Sequence, residues 1–227
     1  MAAGADAPRR SKTFDKSCVR CPRLATFLAE IRARHPAYWA HPVPAFGAAA
    51  PRLLIVGLAP GLHGANRTGR PFTGDFAGIL LYETLHELGL ASRPQSIAAD
   101  DGLALIDARI TNAVKCLPPA NKPLPQEIRC CNSYLANELA ALPSVRVILA
   151  LGRVAHEAVI LACGLKRSAF VFAHARQHAL DGTRRLIDSY HCSRYNTQTR
   201  RLTATMFKTV VAQACAVAQI GSNGARI

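Results

Sequence analysis

The chain has 227 residues, half of them apolar, and carries 28 Lys and Arg against 14 Asp and Glu, a formal net charge of +14. This length and apolar content can bury a core, which excludes a disordered polymer. The positive charge exceeds that of an ordinary enzyme of small molecules and indicates a polyanionic partner, most often nucleic acid. A generally basic proteome would give the same excess, so charge alone leaves that alternative open.

No segment of the sequence resembles a membrane span or a secretion signal. The longest apolar windows, 53–60 and 145–152, are far shorter than the roughly 20 residues that a spanning helix needs, and residues 1–17 lack the apolar stretch of a signal peptide. We therefore expect a cytoplasmic bacterial protein, associated with the nucleoid and monomeric. Its eight cysteines would then be reduced rather than paired as disulfides.

Hydrophobic periodicity and turn residues divide the chain into alternating strands and helices. Patterns of buried strands occupy 51–60, 108–116, 145–152 and 184–191. Helical patterns occupy 18–34, 76–90, 125–142, 153–165 and 202–218, while the basic segment 166–180 is ambiguous and could contain a strand. The alternation predicts an α/β fold of three layers, α/β/α, with a central four-stranded parallel sheet.

The loops after the four predicted strands are the places where functional residues are expected. They are 57–75, 111–123, 152–155 and 191–200, and parallel sheets gather their sites at the carboxyl ends of strands. We expect one domain over 17–218, between a disordered basic tail at 1–16 and a short tail at 219–227.

Four cysteines have the spacing of a metal site. Cys18 and Cys21 form a CxxC pair, and Cys116 and Cys131 enclose a proline-rich segment. Such a set suits four thiolates around iron–sulfur or zinc, and spacing does not choose between them. A redox pair is less attractive because Cys18 does not follow a strand of a βαβ unit. Cys130 adjoins Cys131, so we expect only one of the two at the site, and the alternative that all eight are ordinary buried thiols stays open.

The glycine-rich first loop is not a recognised phosphate-binding loop, because it contains neither a GKS or GKT sequence nor a GxGxxG turn. Its glycines, beginning with Gly57, would let the backbone approach a ligand closely, and Phe72 offers a flat surface for a base. Phe72 could equally plug the core. Asn112, at the end of the second predicted strand, presents the donor and acceptor needed to read a base edge, although a lone Asn is more often a turn residue.

The last loop offers a further group of polar and aromatic side chains. His191 could donate to an oxygen that gains charge in a transition state. Ser193 and Arg194 suit backbone phosphates, and Tyr195 suits insertion into a base stack, with Arg194 as the second choice for that wedge. The competing interpretation is a helix N-cap loop.

Together, the motifs GLAPG, RPFTGDFAG, TNAVKC and HCSRYN, with the CxxC start, resemble the uracil-DNA glycosylase superfamily, and most closely its family 5, the iron–sulfur "type b" enzymes. The resemblance runs from about Cys18 to Phe207. It implies a four-stranded parallel sheet flanked by helices and a pocket that receives uracil or another deaminated base flipped out of DNA. It also implies that Cys18, Cys21, Cys116 and Cys131 hold a structural 4Fe-4S cluster.

The resemblance assigns roles within the pocket. It implies that Phe72 stacks on the flipped base, that Asn112 reads it, and that His191 and Ser193 close the pocket. Asp75 matches the acidic residue assigned to catalysis.

Asp75 is also the remaining acidic candidate, because Leu58 and Ala59 stand where related families carry Glu or Asp. We favour stabilisation of an oxocarbenium-like sugar over activation of water, because an ionised carboxylate serves it without a raised pKa.

The sequence therefore predicts a monofunctional DNA-repair glycosylase, without a lyase step, that excises uracil and other deaminated bases: hypoxanthine, xanthine, hydroxymethyluracil and ethenocytosine. Two alternatives are a uracil-specific family 4 enzyme, disfavoured because position 58 is not Glu, and a non-catalytic iron–sulfur nucleic-acid-binding protein.

Overall fold

The structure, a computed structural model, describes residues 13–220. Its strands are β1 (Phe46–Gly47), β2 (Leu53–Gly57), β3 (Ala108–Asn112), β4 (Val147–Leu151), β5 (Gln177–Ala179) and β6 (Arg185–Ser189). Its α-helices are α1 (Pro22–Arg34), α2 (Ala65–Thr68), α3 (Phe76–Glu87), α4 (Pro125–Ala141), α5 (Arg153–Ala162), α6 (Arg194–Gln198) and α7 (Ala204–Ala218). Two short 3-10 turns lie at Pro119–Asn121 and Arg167–Ala169.

The strands form one six-stranded sheet in the order β1-β3-β2-β4-β6-β5. The central four, β3, β2, β4 and β6, are parallel, which confirms the predicted core of the sheet. The two edge strands pair antiparallel and were not predicted as such: β1 follows a proline-rich connection, and β5 lies in the segment that the sequence left ambiguous.

Two apolar cores confirm the three-layer arrangement. On one face of the sheet, Leu53 and Ile55 of β2 pack with α3 and α7. On the other face, Leu54 and Val56 pack with α4 and α5. Every residue of β2 is buried, which is why its sequence shows a continuous apolar run rather than an alternating pattern.

A third apolar cluster joins α1 to the loop after β3 and to α4. Leu24, Leu28 and Ile31 of α1 pack against the residues around Cys116 and Cys131. The helix begins at Pro22, later than the sequence pattern suggested, because Pro suits the first helical turn. The two cysteines before it are thereby left in an irregular segment that can turn toward α4.

The helix ends follow the expected local chemistry. The helix α3 ends at Glu87, and Gly89 follows in the left-handed conformation with φ of 73°, which is common for a glycine just after a helix. Thr203 caps α7 by accepting a hydrogen bond from the Met206 N–H at 3.2 Å.

The expected tails are only partly within the described residues. Positions 1–12 and 221–227 lie outside them. Lys16, placed in the predicted tail, packs its ammonium over the Trp39 ring at 4.2 Å from the centroid. Within residues 13–220, no helix is long and apolar enough to cross a membrane.

Candidate active site and cysteine cluster

A cavity of about 770 Å³ opens at the carboxyl edge of the parallel strands. All four loops that the sequence singled out contribute to it, as expected for this class of sheet. Its lining includes these residues of those loops: Leu58, Ala59, Gly61, Gly64, Phe72, Asp75, Asn112, Asn121, Gly152, Arg153, His191, Ser193 and Arg194. We call this cavity the base pocket, after the base that the sequence resemblance leads us to expect in it.

The floor of the base pocket is formed where Gly57, Phe72 and Asn112 meet. Gly57 is the last residue of β2 and is paired with Asn112, the last residue of β3. A Cβ built on Gly57 would collide with the Asn112 Oδ1 and would lie 2.6 Å from the Phe72 ring. Gly57 is buried behind these side chains, so its contribution to the site is steric: it leaves the space that they occupy.

Asn112 carries an unusual polar atom. Its side chain is 3% exposed, and its Oδ1 has no hydrogen-bond partner among the described residues. A buried acceptor without a partner is costly, roughly 1–3 kcal/mol, and native structures rarely keep one without a use. Since this oxygen lies at the base pocket, a ligand N–H would satisfy it.

Phe72 is both a core residue and a pocket residue. The side chain is 6% exposed, packs in the core shared with α3 and α7, and lines the base pocket. Its φ is 55°, a conformation that costs energy for a bulky residue. The turn is held because the Tyr82 hydroxyl donates to the Pro71 carbonyl at 2.9 Å and Arg70 forms a buried ion pair with Asp101.

Asp75 is the N-cap of α3 as well as a wall of the base pocket. Its Oδ1 accepts a hydrogen bond from the Gly78 N–H at 3.0 Å. Its other oxygen, Oδ2, faces Gly61 and Gly64, since a Cβ on Gly64 would collide with it. One oxygen is thus occupied by the helix, and the second points across the pocket loop.

Burial raises the pKa of Asp75 above the usual range of an aspartate, although the backbone N–H groups of Gly78 and Ala77 partly offset it. The sequence interpretation favoured stabilisation of the sugar, a role that needs no raised pKa. In the structure Asp75 is half-buried at the helix start, and its carboxylate is therefore a stronger base than an exposed one.

His191 follows β6, and its ring faces the Phe72 ring with centroids 5.9 Å apart and 28° between the planes. Burial lowers the pKa of His191 to about 4. The imidazole is therefore neutral at neutral pH and offers one N–H donor. The following loop is fixed because the Asn196 side chain donates to the His191 carbonyl at 2.8 Å.

The rest of the last loop divides between the pocket and solvent. Ser193 lines the pocket and caps the short helix α6, accepting from the Asn196 N–H at 3.4 Å. Arg194 lines the pocket, with its guanidinium over the Phe76 ring at 5.0 Å. Tyr195 is 71% exposed and does not line the base pocket.

Sequence reasoning missed several residues that line the base pocket. Asn121 lies in the proline-rich loop with φ of 56°, and Arg153 begins α5. His63 lines the pocket and is hydrogen-bonded through Nδ1 to the Tyr38 hydroxyl at 2.9 Å. Asn and Arg in loops after strands were the available signals, but neither loop shows which of its residues turn inward.

The four cysteines of the expected metal site converge on a second, smaller cavity between α1, the loop after β3 and α4. Cys18, Cys21, Cys116 and Cys131 all line it, although nearly one hundred residues separate the two pairs. Cys130 lines the same cavity, so both adjacent cysteines reach it. Cys131 is buried, and its Sγ accepts the Lys115 N–H at 3.3 Å; the half-buried Cys130 points its Sγ at the Arg20 carbonyl at 3.8 Å.

The pKa values of these thiols fit a site that binds a positively charged metal centre. Burial, with the charges of the neighbouring thiols, raises the pKa of Cys21 to about 12 and that of Cys116 still further. Burial also raises the pKa of Cys18, but hydrogen bonds with Tyr134 and Arg20 outweigh it, so the net pKa is lowered. Thiols that oppose one another's ionisation are stabilised as thiolates by a metal, and sulfur donors suit iron–sulfur or zinc. The donor set therefore fits a metal cluster.

Comparisons with known proteins agree with the fold and the pocket. Residues 44–215 match the family model described as "Uracil DNA glycosylase superfamily". The chain is 51% identical over 203 residues to the type-5 uracil-DNA glycosylase of Thermus thermophilus, covering 87% of this chain and 92% of that protein. It is 40% identical over 204 residues to the type-5 enzyme of Pyrobaculum aerophilum, covering 88% of each. A type-4 uracil-DNA glycosylase of Archaeoglobus fulgidus is 38% identical over 114 residues, half of this chain.

The α/β/α sheet with its pocket at the carboxyl edge, and these matches, define a glycosylase enzyme. The chain belongs to the uracil-DNA glycosylase superfamily, and within it to the type-5 group. The resemblance drawn from the sequence motifs is thereby confirmed. The type-5 relatives match along most of the chain at 40–51% identity, and type-4 relatives along half to two thirds of it at 34–38%, which disfavours the family 4 alternative.

Proposed function

We propose that the protein flips uracil out of DNA into the base pocket and hydrolyses its N-glycosidic bond, leaving an abasic site. The observation that carries this proposal is the buried, unpartnered Oδ1 of Asn112 beside the Phe72 ring. An acceptor next to an aromatic face suits a planar base whose edge presents an N–H. The net charge of +14 suits a DNA substrate.

Two groups at the pocket fit the chemistry of bond cleavage. As the bond between C1′ and the base breaks, negative charge develops on the departing base, and the neutral His191 can donate its N–H to a base oxygen. The hydroxyl of an attacking water joins C1′. The Asp75 Oδ2 either accepts the proton of that water or stabilises the positive sugar, and its raised pKa makes the first role as suitable as the second. In either case the proton of the water ends on the departing base anion, so the products are the free base and the abasic site.

A broad substrate range follows from the apolar character of one wall. Leu58 and Ala59 line the base pocket and offer no hydrogen bonds to test the shape of a base edge. Because unpaired polar groups are what reject a wrong base most strongly, this pocket should accept hypoxanthine, and also xanthine, hydroxymethyluracil and ethenocytosine.

A lyase step is not part of the proposal. Lys115 lies in the TNAVKC motif, but its ammonium is paired with the Glu138 carboxylate at 3.3 Å and with the Thr111 hydroxyl. Lys115 is 3% exposed and does not line the base pocket, so it is not placed to attack the sugar.

We further propose that Cys18, Cys21, Cys116 and Cys131 hold a 4Fe-4S cluster. Such a cluster would supply a structural cross-link. It would tie the segment before α1 and the helix α4 to the loop after β3, which continues to Asn121 at the base pocket. A cytoplasmic, nucleoid-associated location and a monomeric state remain part of the proposal.

The test of the function is an excision panel on matched duplexes containing uracil, hypoxanthine, xanthine or thymine. Wild type should release uracil, while Gly57→Ala should reduce release about a hundredfold, because its Cβ displaces Phe72 and Asn112 by about 1 Å. Gly182→Ala is the matched control, since an added Cβ there meets nothing within 4 Å. Wild type that binds these duplexes but releases no base would support the non-catalytic alternative.

A further inference from the structure

A further cavity, separate from the cysteine cavity, adjoins the base pocket on the far side of Asp75. It has a volume of about 460 Å³ and shares Gly74, Asp75, Phe76 and Arg194 with the base pocket. The wall between the two is therefore a single layer of side chains. We call this cavity the side groove.

Two exposed isoleucines line the side groove. Ile79 and Ile97 line it and are 54% and 65% exposed, among the few large hydrophobic side chains that solvent reaches in the described chain. Single exposed hydrophobic residues need no explanation, but here two of them converge beside the Phe76 ring. The face of α3 that packs in the core carries Leu81 and Leu85, so Ile79 is not required there.

The groove is held in place by fixed contacts. The Asp101 carboxylate, paired with the buried Arg70, accepts the Ile97 N–H at 2.9 Å. The Gly74 N–H donates to the Ser96 carbonyl at 3.1 Å, which joins the two sides of the groove. The groove is thus preformed, so binding would not include the conformational-entropy cost of ordering it.

One basic side chain of the groove, Arg194, suits a nucleic-acid partner. The Arg194 guanidinium lies over the Phe76 ring at 5.0 Å and lines both cavities. Asp75 also lines the groove, but its Oδ1 is occupied by the α3 cap and its Oδ2 faces Gly64. A flat aromatic ring, a guanidinium plane and two isoleucines form a surface that can cover one face of a base and attract its phosphate.

We propose that the side groove binds the nucleobase adjacent to the flipped nucleotide in the same strand. Flipping one nucleotide removes the stacking partner of its neighbour and exposes an apolar base face to water. The side groove lies one side chain from the base pocket, within reach of that neighbour. The proposal rests on the proposed function, since it presupposes a flipped base in the base pocket.

The test combines protein variants with DNA in which one base is replaced by a tetrahydrofuran spacer. The spacer is placed 5′ of the uracil, 3′ of it, or opposite it, and dissociation constants are measured for each duplex. In wild type, one of the two same-strand spacers should weaken binding on the order of tenfold, as loss of base stacking does. Ile97→Asp should weaken binding to the intact duplex similarly and be insensitive to that spacer.

Ile106→Asp is the matched control, because Ile106 is 53% exposed and does not line the side groove. Ile79→Asp gives a second variant should Ile97→Asp unfold. If wild type excises uracil but the spacer weakens its binding no more than it weakens the binding of Ile97→Asp, the side-groove proposal alone is overturned. A response only to the spacer opposite uracil overturns it as well. If wild type excises no base, the proposed function is overturned. The difference between wild type and Ile97→Asp in their response to the spacer then tests the groove by itself.

Discussion

Asp75 has two roles, and two substitutions separate them. Its Oδ1 caps α3 through the Gly78 N–H at 3.0 Å, and its charge faces the base pocket. Asp75→Asn keeps a side-chain oxygen for the cap and removes the charge, whereas Asp75→Ala removes both. Asn and Asp are about equally good N-cap residues, and replacing either by Ala costs about 1 kcal/mol.

The stability of the two variants follows from the cap and from the raised pKa. The pKa of Asp75 is raised in the folded protein, so above that pKa its ionised carboxylate destabilises the fold relative to the unfolded chain. Asp75→Asn removes that cost, and its melting temperature should equal or exceed that of wild type. Asp75→Ala should melt roughly 2–4 °C below Asp75→Asn, the shift expected for about 1 kcal/mol in a domain of this size.

Activity should respond to charge and not to the cap. Both variants should release uracil about 10²–10³ times more slowly than wild type in single-turnover assays on a uracil-containing duplex, as expected when one preorganised electrostatic group is lost. Asp75→Asn with wild-type excision would refute the catalytic role of the charge. Equal melting temperatures for the Asn and Ala variants would refute the reasoning on the cap.

Three further predictions concern the metal site and two titrating groups. Cys131→Ser should abolish the bound iron and the broad absorbance at roughly 400 nm that iron–sulfur clusters show, while Cys130→Ser should retain both. The reverse result would contradict the ligand assignment, and bound zinc in wild type would contradict the cluster. The pKa of His156 is raised, because hydrogen bonding and charge from Asp188 outweigh burial. Protonated His156 therefore stabilises the fold. This stabilisation is full below pH of about 6.5 and is lost as pH rises through the higher folded pKa. The melting-temperature difference between wild type and His156→Gln should therefore shrink from pH 6 to pH 9, and a constant difference would contradict it. Because burial raises the pKa of Asp75, the acid limb of uracil excision should lie above the ordinary aspartate range, and a pH–rate profile with a limb below pH of about 4 would exclude Asp75 as the titrating group.

The sequence was sufficient for the central sheet because burial on both faces leaves a strong pattern. The residues of β2 and β4 are all buried, and their apolar runs could be seen directly. The edge strands β1 and β5 have two and three residues and are only partly buried, so pairing with the neighbouring strand, rather than their own sequence, makes them strands.

The sequence identified the chemical groups of the site but not their environment. Asp75, Asn112 and His191 could be named from motifs, and each lines the base pocket. The burial that raises the pKa of Asp75 and lowers that of His191 depends on residues distant in sequence. The stacking of Arg194 on Phe76 joins segments more than one hundred residues apart, and no local pattern predicts it.

Two glycines of the first loop have a steric reason in addition to the one that the sequence suggested. Glycine-rich loops usually allow a ligand to approach the backbone, and that was the expectation here. At Gly57, however, the missing Cβ leaves space for Phe72 and Asn112, and at Gly64 a Cβ would lie 2.6 Å from the Asp75 Cβ. The loop thus packs closely around the side chains of Phe72, Asn112 and Asp75. Gly64→Ala should therefore act through Asp75, and its loss of excision should not add to that of Asp75→Asn, as expected for two changes that remove one interaction.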